Sequence, residues 1–298
     1  MIVLSLFDGM SCGRLALDRA GVDVTAYLAS EIDPYAMAIT QKNYPDTIQL
    51  GDVKNVLSHD LPNIDLLIGG SPCQGFSFAG HRLNFDDPRS KLFFEFVKVL
   101  EAVRPRYFLL ENVRMTKESE DVITRILGVE PIEINSSLVS AQNRVRLYWT
   151  NIPVCQLPDD KGIHLADVIE HGYVDRVKSY CIDANYHKGG NLLSYFTKNR
   201  RQLVFRYNRK DGIKWEAGAL EKSIPILASD WRGLNRNQDQ NAVIDIDQLS
   251  FRKLTPLECE RLQTVPEGYT EGVSNTQRYK MLGNGWTVDV IAHIFSFI

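Results

Sequence analysis

An apolar run of strand length ends in two glycines and a proline within residues 64–77, which read Ile-Asp-Leu-Leu-Ile-Gly-Gly-Ser-Pro-Cys-Gln-Gly-Phe-Ser. The run is typical of a buried parallel strand, and the two glycines indicate where the backbone leaves the sheet. Pro72 fixes its own φ and favours extended geometry at Ser71, so Cys73 is held at the carboxyl end of the strand. Ligands bind at that edge of open α/β sheets. Cys73 is therefore a candidate nucleophile, with a small buried structural thiol as the alternative.

Strand and helix patterns alternate through the first 150 residues. Such repeated units predict an α/β fold with a mostly parallel sheet and helices on both faces. The predicted strands are Ile2–Phe7, Thr25–Ser30, Ile48–Leu50, Leu66–Gly69 and Tyr107–Leu110, with extended pieces at Ile132–Asn135 and Arg146–Asn151. The predicted helices are Arg14–Ala20, Tyr35–Asn43, a weak one near Asn55–His59, Leu92–Val103 and Glu118–Leu127.

The pattern changes after residue 151. Residues 156 to about 250 contain short extended pieces, many Asn and Gly residues and no long helical period. Helical patterns return at Thr255–Leu262, Ser274–Met281 and Thr287–Phe297, and Gly283-Asn284-Gly285 predicts a break between the last two. We therefore predict one domain of residues 1–155 plus 251–298, and a smaller, irregular, strand-containing domain of residues 156–250.

A carboxylate or a thiol follows each of five predicted strands. The carboxyl ends of parallel strands meet at one edge of a sheet, so we expect these side chains to line one crevice. Five such placements favour a functional site over coincidence. The residues are Asp8, Glu31, Asp52, Cys73 and Glu111.

The turn after the first strand contains glycines but lacks both the GxGxxG fingerprint and the lysine of a phosphate-binding loop. Glu31 lies 18 residues after Gly13, a placement that suits a carboxylate accepting hydrogen bonds from ribose hydroxyls. Asp52 could accept from an exocyclic amine while Val53 packs on an adenine face. A nucleoside cofactor without a pyrophosphate fits best, and S-adenosylmethionine is the obvious candidate. Each carboxylate alone is equally compatible with an ordinary helix cap.

Charge is unevenly distributed along the 298 residues, whose formal net charge is −3. Residues 176–214 contain ten basic and two acidic side chains, and the rest of the chain is acidic. A basic segment of this kind is the electrostatic footprint of a contact with a phosphate backbone, although a solvated basic face is the alternative. The five cysteines are odd in number and widely spread, and no basic leader or membrane span is visible. We expect reduced thiols, no metal site and a cytoplasmic protein.

Taken together, these motifs resemble those of the DNA cytosine-5 methyltransferases, in the order typical of that family and over nearly the whole chain. The closing motif of the family more often has serine where this chain has Gly285. The compact first half and Trp286 are most similar to the vertebrate de novo branch, and the lack of its regulatory domains favours a bacterial or phage enzyme. The residues that carry the resemblance are Phe7-Asp8-Gly9 with Gly13, Glu31, Asp52, Ser71-Pro72-Cys73-Gln74, Glu111-Asn112-Val113, Gln142-Asn143-Arg144-Val145-Arg146, Arg252-Lys253-Leu254-Thr255 with Glu258, Arg261-Leu262-Gln263 and Pro266, and Gly283-Asn284-Gly285-Trp286.

The resemblance implies a Rossmann-like fold that binds S-adenosylmethionine and no metal, with residues 156–250 as a target-recognition domain. It implies that Cys73 adds to carbon 6 of cytosine, that Glu111 binds or protonates nitrogen 3, and that Arg146, with Arg144, orients the site and donates to the carbonyl oxygen. The implied cofactor-binding residues are Phe7, Asp8, Gly9, Gly13, Glu31, Ile32, Asp52, Val53, Pro72, Asn284 and Trp286.

The implied partner is duplex DNA, from which the target base must be flipped out because the stacked base is inaccessible. The polar, glycine-containing segment 74–90 is predicted to close over that base, and the basic region 176–214 to grip phosphates and read neighbouring bases. The implied DNA-binding residues are Gln74, Ser77, Arg89, Lys188, Arg200, Arg201 and Arg232.

Two other functions stay open at this point. One branch of the family methylates transfer RNA, although the long region 156–250 favours duplex DNA. A catalytically silent DNA-binding regulatory protein is the second alternative, and the joint presence of Cys73, Glu111 and Arg146 speaks against it. The recognised DNA sequence, a cognate restriction endonuclease and the oligomeric state do not follow from the sequence.

Overall fold

The computed structural model describes residues 1–71, 91–190, 192–206 and 250–298. A seven-stranded sheet has the order β3-β2-β1-β4-β5-β7-β6, and β8 and β9 form a separate two-stranded sheet. The strands are β1 (Ile2–Leu6), β2 (Ala26–Ser30), β3 (Ile48–Gln49), β4 (Leu66–Gly69), β5 (Tyr107–Val113), β6 (Pro131–Asn135), β7 (Val145–Thr150), β8 (Leu203–Arg206) and β9 (Ser250–Lys253). The α-helices are α1 (Cys12–Ala20), α2 (Pro34–Asn43), α3 (Lys91–Val103), α4 (Lys117–Leu127), α5 (Leu165–Val168), α6 (Leu192–Lys198), α7 (Pro256–Leu262), α8 (Asn275–Asn284) and α9 (Val288–Phe295).

Strands β1 to β5 pair in parallel, and their order places a topological switch point between β1 and β4. The chain proceeds outward from β1 through β2 to β3, then returns to the other side of β1 to form β4 and β5. In sheets of this kind, ligands bind in the crevice beyond the carboxyl ends of the strands at the switch point. The segments that follow β1 and β4 are therefore the ones expected to form a site.

Strand β7 lies between β5 and β6 and runs antiparallel to both. Its register places Tyr148 opposite Glu111 and Arg146 opposite Val113. Because the direction of β7 is reversed, its first residues, and not its last, lie beside the carboxyl end of β5. This brings Arg146 to the same edge as the residues that follow the parallel strands.

The central strands are buried on both faces, as expected for a sheet covered by helices on each side. Along β1, Val3 belongs to one apolar core while Leu4 belongs to the other, because successive side chains point to opposite faces. Helix α3 buries Phe93 and Phe96, one turn apart, in the same core as Leu4. In the part of the chain that the structure describes, no helix combines the length and apolarity needed to cross a membrane.

The predicted α/β architecture is confirmed, and the boundaries differ at two informative places. Strand β5 continues to Val113, beyond the predicted end at Leu110, because antiparallel pairing with β7 extends the ladder. The break predicted at Gly283-Asn284-Gly285 was wrong for its first two residues, since α8 runs through Asn284. Gly283 is retained within the helix because a Cβ there would lie 2.2 Å from the carbonyl carbon of Asp183.

The described part of the predicted second domain consists of short elements and is attached to the sheet. Ile182 and Tyr186 pack in the same core as Val3, and Gln142 forms a bridge with Ser179. Strands β8 and β9 pair antiparallel on either side of residues 207–249. The division of the chain at residues 155 and 250 stays a prediction.

Candidate active site

The turn between β1 and α1 is held in an unusual conformation by Glu31. Phe7, Gly9 and Ser11 all have left-handed φ values, of 57°, 61° and 60°. The Gly9 amide donates to Oε2 of Glu31 over 2.8 Å, and the amides of Ile32 and Asp33 donate to Oε1 over 2.8 Å each. Glu31 therefore joins the carboxyl ends of β1 and β2. These hydrogen bonds hold the turn in its conformation. The lone pairs that remain on the Glu31 carboxylate would accept hydrogen bonds from ribose hydroxyls.

Asp8 lies within this turn and accepts hydrogen bonds on both carboxylate oxygens. The Tyr27 hydroxyl donates to Oδ1 over 2.7 Å, and the Ser11 hydroxyl donates to Oδ2. Burial raises the pKa of Asp8 to about 6, and the hydrogen bonds from Ser11 and Tyr27 offset only part of that effect. Asp8 thus titrates close to neutrality at the floor of the proposed cofactor site.

Gly13 is needed for packing at this place. A Cβ on Gly13 would lie 2.4 Å from Cδ1 of Ile68 in β4 and 3.1 Å from the hydroxyl of Tyr27. It would also lie 3.4 Å from Cζ3 of Trp286. A side chain at position 13 would therefore require the end of the Ile68 side chain to move, and the glycine lets α1 pack against β4 without that change.

Three other predicted cofactor residues differ in exposure. Ile32 is 71% exposed immediately after Glu31, although it is an apolar residue at the end of a buried strand. Asp52 caps a short 3₁₀-helix by accepting from the Lys54 amide over 3.1 Å on Oδ1, and its predicted contact with the cofactor stays a prediction. Val53 is 6% exposed and packs in the core, which leaves little of its surface for an adenine ring.

The donor set of this edge fits S-adenosylmethionine. Glu31 supplies a carboxylate next to the exposed apolar side chain of Ile32, and a Cβ built on Gly9 would meet no atom within 4 Å. A carboxylate suits ribose hydroxyls, an aliphatic side chain suits a purine face, and open space above a turn suits a ligand. Asn284, another predicted cofactor residue, is exposed at the end of α8.

Glu111 is the centre of the second half of the site. Oε1 lies 3.0 Å from Nε of Arg146, and Oε2 accepts from Nε1 of Trp286 over 3.1 Å. Glu111 is 9% exposed, so this carboxylate and its partners are largely removed from water. Burial is the largest single effect on Arg146 and disfavours its charge, yet attraction to Glu111 together with smaller contributions from Cys181 and Tyr148 outweighs it and raises the pKa of the guanidinium. The pair is a fixed charge arrangement at the carboxyl edge of β5.

Arg144, for which a role shared with Arg146 was predicted, has different backbone hydrogen-bond partners from Arg146. It is 4% exposed, and its guanidinium donates to the carbonyl oxygens of Ile182, Gly283 and Gly285 over 3.2, 3.3 and 2.9 Å. It also donates to the thiol of Cys181 over 3.3 Å. With these partners Arg144 fastens the start of β7 to two distant segments. Arg146 is the arginine that reaches the carboxylate.

Asn112 connects this carboxylate to the strand that precedes Cys73. Its buried amide donates to the carbonyl and to the hydroxyl of Ser71, both over 3.4 Å, and its Oδ1 accepts from the Val113 amide over 2.8 Å. Asn112 belongs to a motif that carries the family resemblance, but no role was predicted for its side chain. Its position directly after Glu111, at the end of a strand beside β4, was the available signal.

A buried amide pair supports the same region from behind. Gln142 donates to the carbonyl of Leu262 over 3.0 Å and to Oε1 of Gln263 over 3.2 Å. Gln263 donates in turn to the carbonyls of Leu282 and Gly285. Both glutamines are fully buried, so their hydrogen bonds fix the approach of the C-terminal helices to β7.

Several predicted residues lie outside the described residues. Lys188 and Arg200 are described and exposed, whereas Arg201 is half-buried and donates to the carbonyl of Gly189 over 2.9 Å. Within the same basic region, Arg176 pairs with Asp175 and Lys178 donates to three carbonyls. Part of the basic region is therefore committed to holding its own fold. The predicted site residues outside the described part are Pro72, Cys73, Gln74, Ser77, Arg89 and Arg232.

Comparison with known proteins gives a consistent result. The chain matches the family described as C-5 cytosine-specific DNA methylase over residues 1–127 and 159–298. The orphan methyltransferase M.SPRI of Bacillus phage SPR is 27% identical over 98% of this chain and 96% of its own length. The type II methyltransferase M.NlaX of Neisseria lactamica is 29% identical over 98% of this chain and 94% of its own length.

The fold has solved counterparts. The structure of S. pombe Dnmt2 methyltransferase matches with a TM-score of 0.67 over 99% of this chain and 97% of that chain, at 19% identity. Because the family match includes most of the chain and the folds agree, this chain belongs to the C-5 cytosine-specific DNA methylase family and is a DNA (cytosine-5-)methyltransferase with a Rossmann-like methyltransferase fold.

Proposed function

We propose that this enzyme transfers a methyl group from S-adenosylmethionine to carbon 5 of a cytosine that is flipped out of duplex DNA, through a covalent bond to Cys73. The observation that carries the proposal is the carboxylate of Glu111, held by Arg146 and Trp286 at the edge where β4 leads toward Cys73. Nitrogen 3 of cytosine needs a carboxyl partner when charge develops on the ring, and this carboxylate is fixed in advance.

Carbon 5 of cytosine is a weak nucleophile, and covalent addition at carbon 6 makes it a stronger one. In the proposed sequence, the thiolate of Cys73 forms a bond to carbon 6 while Glu111 hydrogen-bonds or protonates nitrogen 3. Bound S-adenosylmethionine would supply an electrophilic methyl group on its sulfonium sulfur. Carbon 5 would donate its electron pair to that methyl carbon, and the electron pair of the broken methyl–sulfur bond would stay on sulfur, which leaves as the neutral thioether S-adenosylhomocysteine. Loss of the carbon 5 proton then returns the electrons to the ring, and the bond between carbon 6 and the Cys73 sulfur breaks.

Arg146 supports the charge changes of this sequence. Its guanidinium is paired with Glu111 through Nε, while Nη1 donates to the carbonyl of Val145 over 2.8 Å. A planar guanidinium can hold a carboxylate and still present another N–H group to a neighbouring acceptor. We assign that additional donor to the carbonyl oxygen of the cytosine.

The cofactor residues on the other side of the crevice act by binding and shape. Glu31 would accept hydrogen bonds from the ribose hydroxyls while it continues to hold the Gly9 amide. Ile32 would cover one face of the adenine with its exposed side chain. Asp52 would accept from the adenine amino group, and Asp8 would remain beneath the turn.

Duplex DNA is the proposed substrate because the exposed cations of the basic region suit phosphate contacts. Among the predicted DNA-binding residues that the structure describes, Lys188 and Arg200 are exposed and can therefore contact phosphates. Contacts of this kind are sequence-independent and weaken steeply as salt increases. Extrusion of the base costs a few kcal/mol, which contacts to the flipped cytosine must offset.

The test is methyl incorporation from radiolabelled S-adenosylmethionine into duplex DNA and, in parallel, into transfer RNA. We expect label in duplex DNA with wild-type enzyme and none with Cys73→Ser, and a protein–DNA adduct on duplexes that contain 5-fluorocytosine. Label only in transfer RNA would overturn the DNA assignment, and undiminished activity of Cys73→Ser would overturn the covalent mechanism.

The biological setting is a separate part of the proposal. Relatives are named both as orphan and as type II methyltransferases, and we propose a bacterial or phage cytoplasm as the location. Bisulfite sequencing of DNA from cells that express the enzyme would define the methylated sequence. Protection of that DNA from a restriction endonuclease of the same specificity would identify a restriction–modification function.

A further inference from the structure

We propose that Trp286 is a positioning residue for the reaction, whose indole N–H group holds the Glu111 carboxylate in its working orientation. This role differs from the cofactor contact that the sequence predicts for Trp286, and it rests on the function proposed for Glu111. The indole is placed between the turn that shapes the cofactor side and the carboxylate that faces the base.

Each oxygen of the Glu111 carboxylate contacts a different side chain. Nε1 of Trp286 donates to Oε2 over 3.1 Å, while Nε of Arg146 lies 3.0 Å from Oε1. Because the indole N–H group donates to one oxygen and the Arg146 guanidinium forms an ion pair with the other, rotation of the carboxylate about its last side-chain bond would disrupt both interactions. Arg146 alone holds only one oxygen. The indole therefore supplies the second contact that is needed to fix the orientation of the Glu111 carboxylate.

Glycines lie on two sides of the indole ring of Trp286. A Cβ on Gly70 would lie 3.0 Å from Nε1 of Trp286 and 3.0 Å from Oε2 of Glu111. A Cβ on Gly13 would lie 3.4 Å from Cζ3 at the opposite side of the ring. The missing side chain at Gly70 thus leaves room for the indole to reach Glu111 across the strand that leads to Cys73, and a Cβ at Gly13 would only touch the far side of the ring.

The residues on both sides of Trp286 are held by hydrogen bonds. The carbonyl of Gly285, immediately before Trp286, accepts from Arg144 over 2.9 Å and from Gln263 over 3.2 Å. Immediately after Trp286, the hydroxyl of Thr287 donates to Oε1 of Gln263 over 2.8 Å. Both flanking residues are held by buried side chains. The backbone of Trp286 is therefore fixed, as is the Nε1 end of its ring.

An interaction of this kind is expected to affect the chemical step more than substrate binding. In Trp286→Phe the ring is retained and the N–H donor is lost. We expect kcat to fall about 10-fold, a typical effect of removing one hydrogen bond to a charged group, with KM for S-adenosylmethionine and for DNA changed less than about 3-fold. Replacement of Trp286 by benzothienylalanine, which has sulfur in place of the N–H group, should reproduce the loss with nearly unchanged shape.

The matched control is Trp149→Phe. Trp149 is fully buried in β7 and donates from Nε1 to the Thr124 hydroxyl over 3.0 Å, so the control removes an indole hydrogen bond from the same sheet. We expect its kcat to stay within about 2-fold of wild type in the fraction that is folded. In single-turnover measurements, Trp286→Phe should cause no further loss in a Glu111→Gln background, because the two side chains act as one unit.

The outcomes separate this inference from the proposed function. If wild-type enzyme methylates cytosine and Trp286→Phe raises only KM for S-adenosylmethionine, the indole is a cofactor contact and the inference is wrong. Full activity with benzothienylalanine, or an additive loss in Glu111→Gln, would also overturn it. Absence of cytosine methylation by wild-type enzyme would overturn the proposed function, and this inference with it.

Discussion

Arg146 and Glu111 form an ion pair of 3.0 Å between neighbouring antiparallel strands, although they are far apart along the chain. The pair exists because β7 enters the sheet in the reverse direction and delivers Arg146 to the carboxyl end of β5. Two residues earlier, Arg144 turns to backbone carbonyls instead of the carboxylate. The two arginines of one motif thus contact different groups, so we expect their replacement to have different effects.

Replacement of Arg146 should impair catalysis without unfolding the protein. Arg146→Lys keeps the positive charge but loses the planar group that can hold Glu111 and present a second N–H donor. We expect kcat to fall about 100-fold or more, as for the loss of a donor at a developing negative charge. Steady-state methyl transfer into duplex DNA measures the effect.

The matched control is Arg114→Lys. Arg114 pairs with Glu133 between the end of β5 and β6, but both side chains are largely exposed. We expect activity within about 2-fold of wild type, because exposed ion pairs contribute little. Equal losses of activity in Arg114→Lys and Arg146→Lys would contradict a specific role for the Arg146 pair.

Replacement of Arg144 should instead lower stability. Arg144→Lys removes the guanidinium hydrogen bonds to the carbonyls of Ile182, Gly283 and Gly285, and a lysine cannot reach all three at once. We expect the free energy of unfolding to fall by about 2 to 4 kcal/mol, measured by urea denaturation. Wild-type stability together with strongly reduced kcat would return Arg144 to the direct catalytic role that its motif implies.

The positions of the strand-end residues were predictable, and their partners were not. Parallel strands place their carboxyl ends together whatever the details of packing, so Asp8, Glu31 and Glu111 could be assigned to one edge from local patterns. The partners of Arg144 are 38, 139 and 141 residues away, and no local periodicity reports such contacts. The burial of Val53 in the core likewise depends on packing beneath the sheet, which its place after Asp52 in the sequence does not report.

Stability should depend on pH through Asp8. The pKa of Asp8 is about 6 in the folded protein because of burial, against an ordinary value of 3.8, so between these values the folded state binds more protons than the unfolded state. The contribution of Asp8 to stability is therefore fully present below about pH 3.8 and is lost as the pH rises through 6. Asp8→Asn removes this dependence.

The free energy of unfolding of Asp8→Asn can differ from that of wild type by a constant amount at every pH. Beyond that constant, we expect Asp8→Asn to gain on the order of 1 to 2 kcal/mol relative to wild type when the pH rises from 4.5 to 7.5. Urea unfolding of both proteins at the two pH values measures the difference. Asp23→Asn, which removes an exposed carboxylate, is the control and should show no such change. A constant difference between Asp8→Asn and wild type at both pH values would contradict the assignment.

The approach of α8 to residues 181–184 should tolerate no side chain at Gly283. In Gly283→Ala the new Cβ would lie 2.2 to 2.4 Å from backbone atoms of Asp183 and Ala184, which cannot rotate away as a side chain can. We expect a loss of about 1 to 3 kcal/mol in the free energy of unfolding. Gly190→Ala is the control, because its Cβ would meet atoms no closer than 3.5 Å. Equal stabilities of the two variants would show that α8 can shift without cost.

Asn112 should transmit the position of β5 to the segment that leads to Cys73. Its amide donates to the carbonyl and hydroxyl of Ser71, so Asn112→Ala frees the end of β4 while leaving Glu111 and Arg146 paired. A small misplacement of a nucleophile is costly, and we expect kcat to fall about 10- to 100-fold. Single-turnover formation of the 5-fluorocytosine adduct measures the step directly.

Asn151 offers the matched control at the other end of β5. Its side chain accepts from the Phe108 amide over 2.8 Å and donates to the carbonyl of Arg106 over 2.9 Å. Asn151→Ala therefore removes two side-chain hydrogen bonds to the same strand, but at the edge opposite to the site. We expect a similar loss of stability with adduct formation at the wild-type rate. If both variants form the adduct equally fast, the contact between Asn112 and Ser71 does not position Cys73. The hydrogen bonds of Asn112 to Ser71 would then contribute to stability alone.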